Sequence, residues 1–101
     1  MSITTSSLPF TQSLIAAAPD APGVFALWQG GGIVYYGRAG TIRIALDEQL
    51  RARLLSAHRV TGCSWEVAAD PEERMNELMR EYLTAHRALP LWNDPQRLPT
   101  N

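Results

Sequence analysis

The sequence predicts an α+β domain: a small three-stranded antiparallel or mixed sheet with flanking helices. Three observations predict it. Three short runs, "GVFALWQ", "IVYYG" and "SWEVAA", are rich in β-branched and aromatic residues and are bounded by Gly, Pro or Asp. Two longer runs, "TIRIALDEQLRARLLSAH" and "DPEERMNELMREYLTAH", carry apolar residues at helical spacing. Finally, the runs follow one another as strand, strand, helix, strand, helix, preceded by a weaker helical segment.

The elements follow in order. "FTQSLIAAA", Phe10 to Ala18, reads as a short helix stopped by "PDAPG". Gly23 to Gln29 is the first strand, "GGG" turns the chain, and Ile33 to Gly37 returns as the second strand of a hairpin. Thr41 to His58 is a helix with Thr41 as N-cap; Ile42, Ala45, Leu46, Leu50, Leu54 and Ala57 share one face. "SWEVAA" is the third strand. Asp70 is an N-cap with Pro71 in the first turn and Glu73 placed for a capping box, and the helix runs to about His86. Met75, Leu78, Met79, Tyr82 and His86 form its apolar stripe. Residues 1–20 are expected to be a tail with the short helix, 21–94 the domain, and 95–101 a second tail.

Composition narrows function. A chain of 101 residues with 46% hydrophobic content suits one modest core. Nine basic residues, all arginine, against ten acidic ones give a net charge of -1. Binding to nucleic acid would therefore need a local arginine cluster. The single cysteine, Cys63, excludes an internal disulfide and a cysteine metal cluster, and its place in a strand predicts a buried, inert thiol. No apolar run spans a membrane and no leader is evident, so a cytoplasmic protein is expected.

The glycines of "GGGIVYYGRAG" do not form a phosphate-binding loop. A Walker loop needs a lysine, and the chain has none. A dinucleotide fingerprint needs a helix after its glycines, and a strand follows here. The double tyrosine is more informative. On an alternating strand Tyr35 and Tyr36 point to opposite faces. Gly37 beside them predicts a close backbone approach or a kink, and Arg38 adds a cation.

Taken together, "PGVF", "VYYGRAG", "LRARLLSAH", "EVAADPEER" and "LMREYLTAHRALPLWN" resemble the GIY-YIG nuclease domain over about Pro22 to Asn93. "GVF" stands for the first triplet and "YYG" for the second. The resemblance implies a DNA endonuclease that hydrolyses phosphodiester bonds with one divalent ion, Mg²⁺ or Mn²⁺. It gives Tyr35 the role of general base or water-positioning group, and makes Glu81 the metal ligand. It sets Arg38 near the phosphate and His58 in the role of proton shuttle or phosphate contact. Asn93 is structural. DNA is the implied partner, with a homodimer or protein partner supplying specificity.

Two departures from the family pattern bear on cutting. Phe25 ends the first triplet where the family has tyrosine, so a hydroxyl is lost. The family's arginine follows the second-triplet tyrosine by about ten residues. Ten residues after Tyr35 is Ala45, and fourteen after it is Gln49. Either an insertion brings Arg53 to that role, or the register is ungapped and the arginine is missing; Arg43, Arg51 and Arg59 are weaker substitutes. The alternative function is therefore a catalytically degenerate domain that binds nucleic acid or a protein partner. Simpler roles also exist for these residues. Glu73, Glu77 and Glu81 share a solvated helix flank, and His58 complements a helix end. His86 is a core or cap residue, and Trp28, Trp65 and Trp92 are core or edge aromatics.

Overall fold

A computed structural model describes residues 8–29, 32–54, 60–90 and 93, with the side chains of Leu8, Arg53 and Leu54 left aside. The elements are β1 (Leu8–Pro9), α1 (Gln12–Ala16), β2 (Gly23–Gln29), β3 (Gly32–Ala39), α2 (Ile42–Leu54), β4 (Gly62–Val67) and α3 (Pro71–His86). The sheet order is β1-β4-β2-β3, and every pairing is antiparallel. The three expected strands are present. A fourth, the two-residue β1, joins the edge by pairing Leu8 with Cys63 and Pro9 with Gly62. Two residues, one of them proline, carry no strand periodicity, so only the tertiary pairing reveals β1.

Strand β2 is central and reads buried from Gly23 to Leu27 without alternation. Helices on both faces explain this, because neither face meets water. On one face Phe25, Leu27 and Cys63 pack with Ile15 of α1 and with Ile42 and Leu46 of α2. On the other, Val24, Ala26 and Tyr36 pack against Leu78 of α3. The β2–β3 register shifts between Leu27, opposite Tyr35, and Trp28, opposite Ile33. Val34 is the extra residue of this bulge and turns into the α1–α2 core, 8% exposed.

Local chemistry sets the helix ends. Thr11 caps α1, its hydroxyl accepting from the Leu14 N–H. Asp70 caps α3, its carboxylate accepting from the Glu73 N–H at 3.1 Å, with Pro71 in the first turn. Arg87 closes α3 in the left-handed region with φ 58°. The stripe on α3 is narrower than expected. Leu78 is fully buried and Met75, Met79 and Tyr82 are half-buried, but His86 is exposed, its ring stacked on Tyr82 at 4.1 Å. The end of α2 expected at 55–58 lies outside the described residues. No described helix is long and apolar enough to cross a membrane.

Candidate functional site

Tyr35 and Tyr36 diverge to opposite faces of β3, as strand geometry requires. Tyr35 packs with the α1–α2 core, its ring 6.0 Å from that of Phe25. Beside it lies an open cleft of about 500 Å³ between the β2–β3 hairpin and α2. Phe25, Tyr35 and Arg38 line one wall; Thr41, Ala45, Glu48 and Gln49 line the other. Gly37 fits beneath the Phe25 ring, where a Cβ would come within 2.3 Å of Phe25 Cζ. The close approach read from "YYG" is this contact.

Helix α2 runs unbroken from Ile42, so Ala45 and Gln49, one turn apart, both face the Tyr35 cleft. Arg53 is eight residues beyond Ala45, about 12 Å along the axis. The Oε1 of Gln49 is buried and has no hydrogen-bond partner among the described residues. Arg38 pairs with Glu72 of α3, Nη1 to Oε1 at 3.3 Å. Arg43 lies away from the cleft, donating to Asp20 at 2.9 Å. His58, Arg59 and Trp92 lie outside the described residues, as does the side chain of Arg53.

Glu81 stands across the sheet from Tyr35. It lines a separate cleft of about 480 Å³ with Trp28, Ile33, Tyr36, Tyr82 and His86. Its Oε2 is 4.0 Å from Arg74 Nη1. Arg74 is chiefly bound to Glu66, at 2.5 Å through Nε and 3.1 Å through Nη2, and also to Glu77 at 3.4 Å. Burial, reinforced by the charge of Glu81, pushes the Tyr36 phenol above its ordinary value; Arg74 opposes this. No group of three or more His, Cys, Asp or Glu gathers at metal-ligand spacing among the described residues. The arrangement does not fit a divalent ion shared by Tyr35 and Glu81, because they open into different clefts.

Sequence reasoning missed Glu48 as a wall of the Tyr35 cleft. Its helical position, three residues after Ala45, was the available signal. The Glu66–Arg74 pair was missed too. It joins β4 to α3, and nothing in a one-dimensional pattern announces it. Asn93 has the expected structural role: it accepts from the Tyr36 N–H at 2.8 Å and donates to the Tyr36 carbonyl at 2.9 Å.

The fold defined by these elements is that of a GIY-YIG-like domain. It is similar to the crystal structure of the GIY-YIG N-terminal endonuclease domain of UvrC from Thermotoga maritima, a tyrosine-to-phenylalanine point mutant bound to its catalytic divalent cation. The TM-score is 0.50 at 20% identity, over 75% of this chain and 88% of that one. At that identity the likeness is one of fold. No family model matches the chain, and no curated protein does.

Proposed function

We propose that this chain is a GIY-YIG-like domain that binds a partner without cutting DNA. The observation that carries this reading is Ala45, which lines the Tyr35 cleft at the position, ten residues after Tyr35, where an ungapped resemblance sets the family's arginine. Phosphodiester hydrolysis builds negative charge on the phosphoryl oxygens, and a fixed cation must meet it. A methyl group offers none. Arg38 lines the cleft at its rim, where its guanidinium makes a solvent-exposed contact with Glu72. Phe25 contributes a ring without a hydroxyl. Glu81 opens into another cleft and cannot orient a water at Tyr35 from there.

The charge pattern supports a protein partner over DNA. Arg38, Arg43, Arg51 and Arg74 each face a carboxylate, and the whole chain carries a net charge of -1. Nucleic-acid affinity comes largely from free cations that displace counterions.

A second reading, a divalent-metal-dependent DNA endonuclease, draws on the likeness to an endonuclease domain solved with its catalytic cation. One experiment separates the two. Supercoiled plasmid and single-stranded DNA are incubated with the protein and Mg²⁺ or Mn²⁺, with chelator controls and with Glu81→Ala and Tyr35→Phe alongside. The expected result is no metal-dependent nicking above that of the two variants. Nicking that both substitutions abolish would establish the endonuclease and sink the non-cutting reading.

A further inference from the structure

The cleft around Glu81 has no part in the non-cutting reading. It measures about 480 Å³ and lies across the sheet from the Tyr35 cleft. Its lining is aromatic: Trp28, Tyr36, Tyr82 and His86, with Ile33 beside them. Among the described residues that line it there is one carboxylate, Glu81, and no arginine. Arg74 is 4.0 Å from Glu81 Oε2, but its guanidinium is shared by three carboxylates, of which Glu66 is the nearest and Glu81 the farthest.

The rings are held in place before any ligand arrives. The Trp28 indole N–H donates to Ser64 Oγ at 3.0 Å. The Tyr82 hydroxyl donates to the Ile33 carbonyl at 3.4 Å, and its ring meets that of Tyr36 edge to face at 6.1 Å. Tyr36 is buried and closes the cleft on the sheet side, while Trp28 and Tyr82 are half-buried. Rings already fixed bind a ligand at little cost in ordering.

Aromatic faces carry negative potential, and a carboxylate beside them adds to it. The complement is a cation that gives up its hydration readily. A primary ammonium is a compact, strongly hydrated charge. Methyl groups on the nitrogen displace that water and give the rings apolar surface to touch. An anion would meet the Glu81 carboxylate, and a neutral apolar group would gain nothing from it.

We propose that the Glu81 cleft binds a small methylated ammonium compound, its quaternary head against Trp28 and Tyr82 and its charge toward Glu81. The proposal concerns a different cleft from that of Tyr35 and does not rest on the absence of cutting.

The test titrates the full chain with choline and follows the Trp28 indole N–H by NMR. Trp65, which packs on the opposite face of the sheet, is the internal reference. The comparators, at matched ionic strength, are the neutral isostere 3,3-dimethylbutan-1-ol, ethanolamine, thymidine monophosphate, Mg²⁺ and a peptide carrying trimethyl-lysine. Choline is expected to shift Trp28 saturably, to leave Trp65 in place, and to bind about five-fold more tightly than the isostere or ethanolamine. Glu81→Gln and Tyr82→Leu should each weaken it about three- to ten-fold. Tyr82→Phe keeps the ring, and Glu77→Gln removes a carboxylate of α3 outside the cleft; both should stay within about two-fold. Should Tyr82→Leu fail to fold, the surface change Glu81→Gln still decides.

No saturable shift at Trp28, or an isostere that binds as tightly as choline, would overturn the proposal. So would an equal loss in Glu77→Gln, or tighter binding of the nucleotide at Trp28. Displacement of choline by Mg²⁺ beyond the effect of ionic strength would return Glu81 to a metal-ligand role and overturn it too. Tighter binding of the trimethyl-lysine peptide would overturn the small-molecule source. Plasmid nicking with choline binding intact would overturn only the absence of cutting.

Discussion

Phe25 and Gly37 face each other across the β2–β3 seam, and the ring occupies the space that any other residue at 37 would need. A Cβ there would lie 2.3, 2.6 and 2.9 Å from three atoms of a ring only 2% exposed. Gly37→Ala should therefore destabilise the domain by about 1–3 kcal/mol, the range of overpacking. Urea unfolding reads this as a lower midpoint, and adding Phe25→Leu should recover part of the loss. A midpoint equal to that of the unmodified chain would refute the packing argument. At this scale the sequence was readable where alternation decides: Tyr35 and Tyr36 go to opposite faces, and Gly37 accepts a close neighbour. It was less readable where three-dimensional register decides. Counting from Tyr35 names Ala45 and Gln49, but only the unbroken α2 puts both on the cleft wall.

Among the described elements, β3 lies at the edge of the sheet, with no described strand paired to its outer side. Asn93 covers the backbone groups of Tyr36, its carboxamide making the two hydrogen bonds that a neighbouring strand would make. Asn93→Ala should cost about 1–2 kcal/mol and speed exchange of the Tyr36 amide hydrogen, which NMR reads directly. Unchanged protection of that amide would show that the carboxamide is dispensable. Helix α3 was legible from its start because Asp70, Pro71 and Glu73 are local signals acting on local backbone. Strand β1 was not, since Leu8 and Pro9 become a strand only by meeting Cys63 and Gly62. The exposed His86 marks the limit of periodicity: helical spacing sets the angle around the axis, while the sheet beneath decides how far the contact extends.

For the molecule as a whole, stability is tied to alkaline pH through groups shared between elements. Cys63 is fully buried between the sheet and its helices, and burial pushes its thiol from an ordinary 9.0 up to about 11. The unfolded chain releases this proton first. The contribution is full below pH 9 and is lost as pH rises toward about 11. Tyr36, raised for the same reason, acts in the same sense. Melting temperature should fall over that window, and Cys63→Ala should flatten the fall. An identical profile in that variant would remove the thiol from the account. The α+β class and antiparallel hairpin were legible because each hydrophobic run is short and punctuated. The sheet order was not, because β4 enters beside β2 through pairing that no local pattern records.

That placement gives Leu27 partners at very different distances along the chain: Tyr35, eight residues away, on one side and Cys63, thirty-six away, on the other. Closing the longer loop costs about 1.3 kcal/mol more in chain entropy. The hairpin is thus the less costly seam to form and the β2–β4 seam the costlier one. Cys63 lies on the costlier seam. The rate at which a thiol reagent captures it becomes a clock for the separation of β4 from β2, timed by a residue with no part in binding.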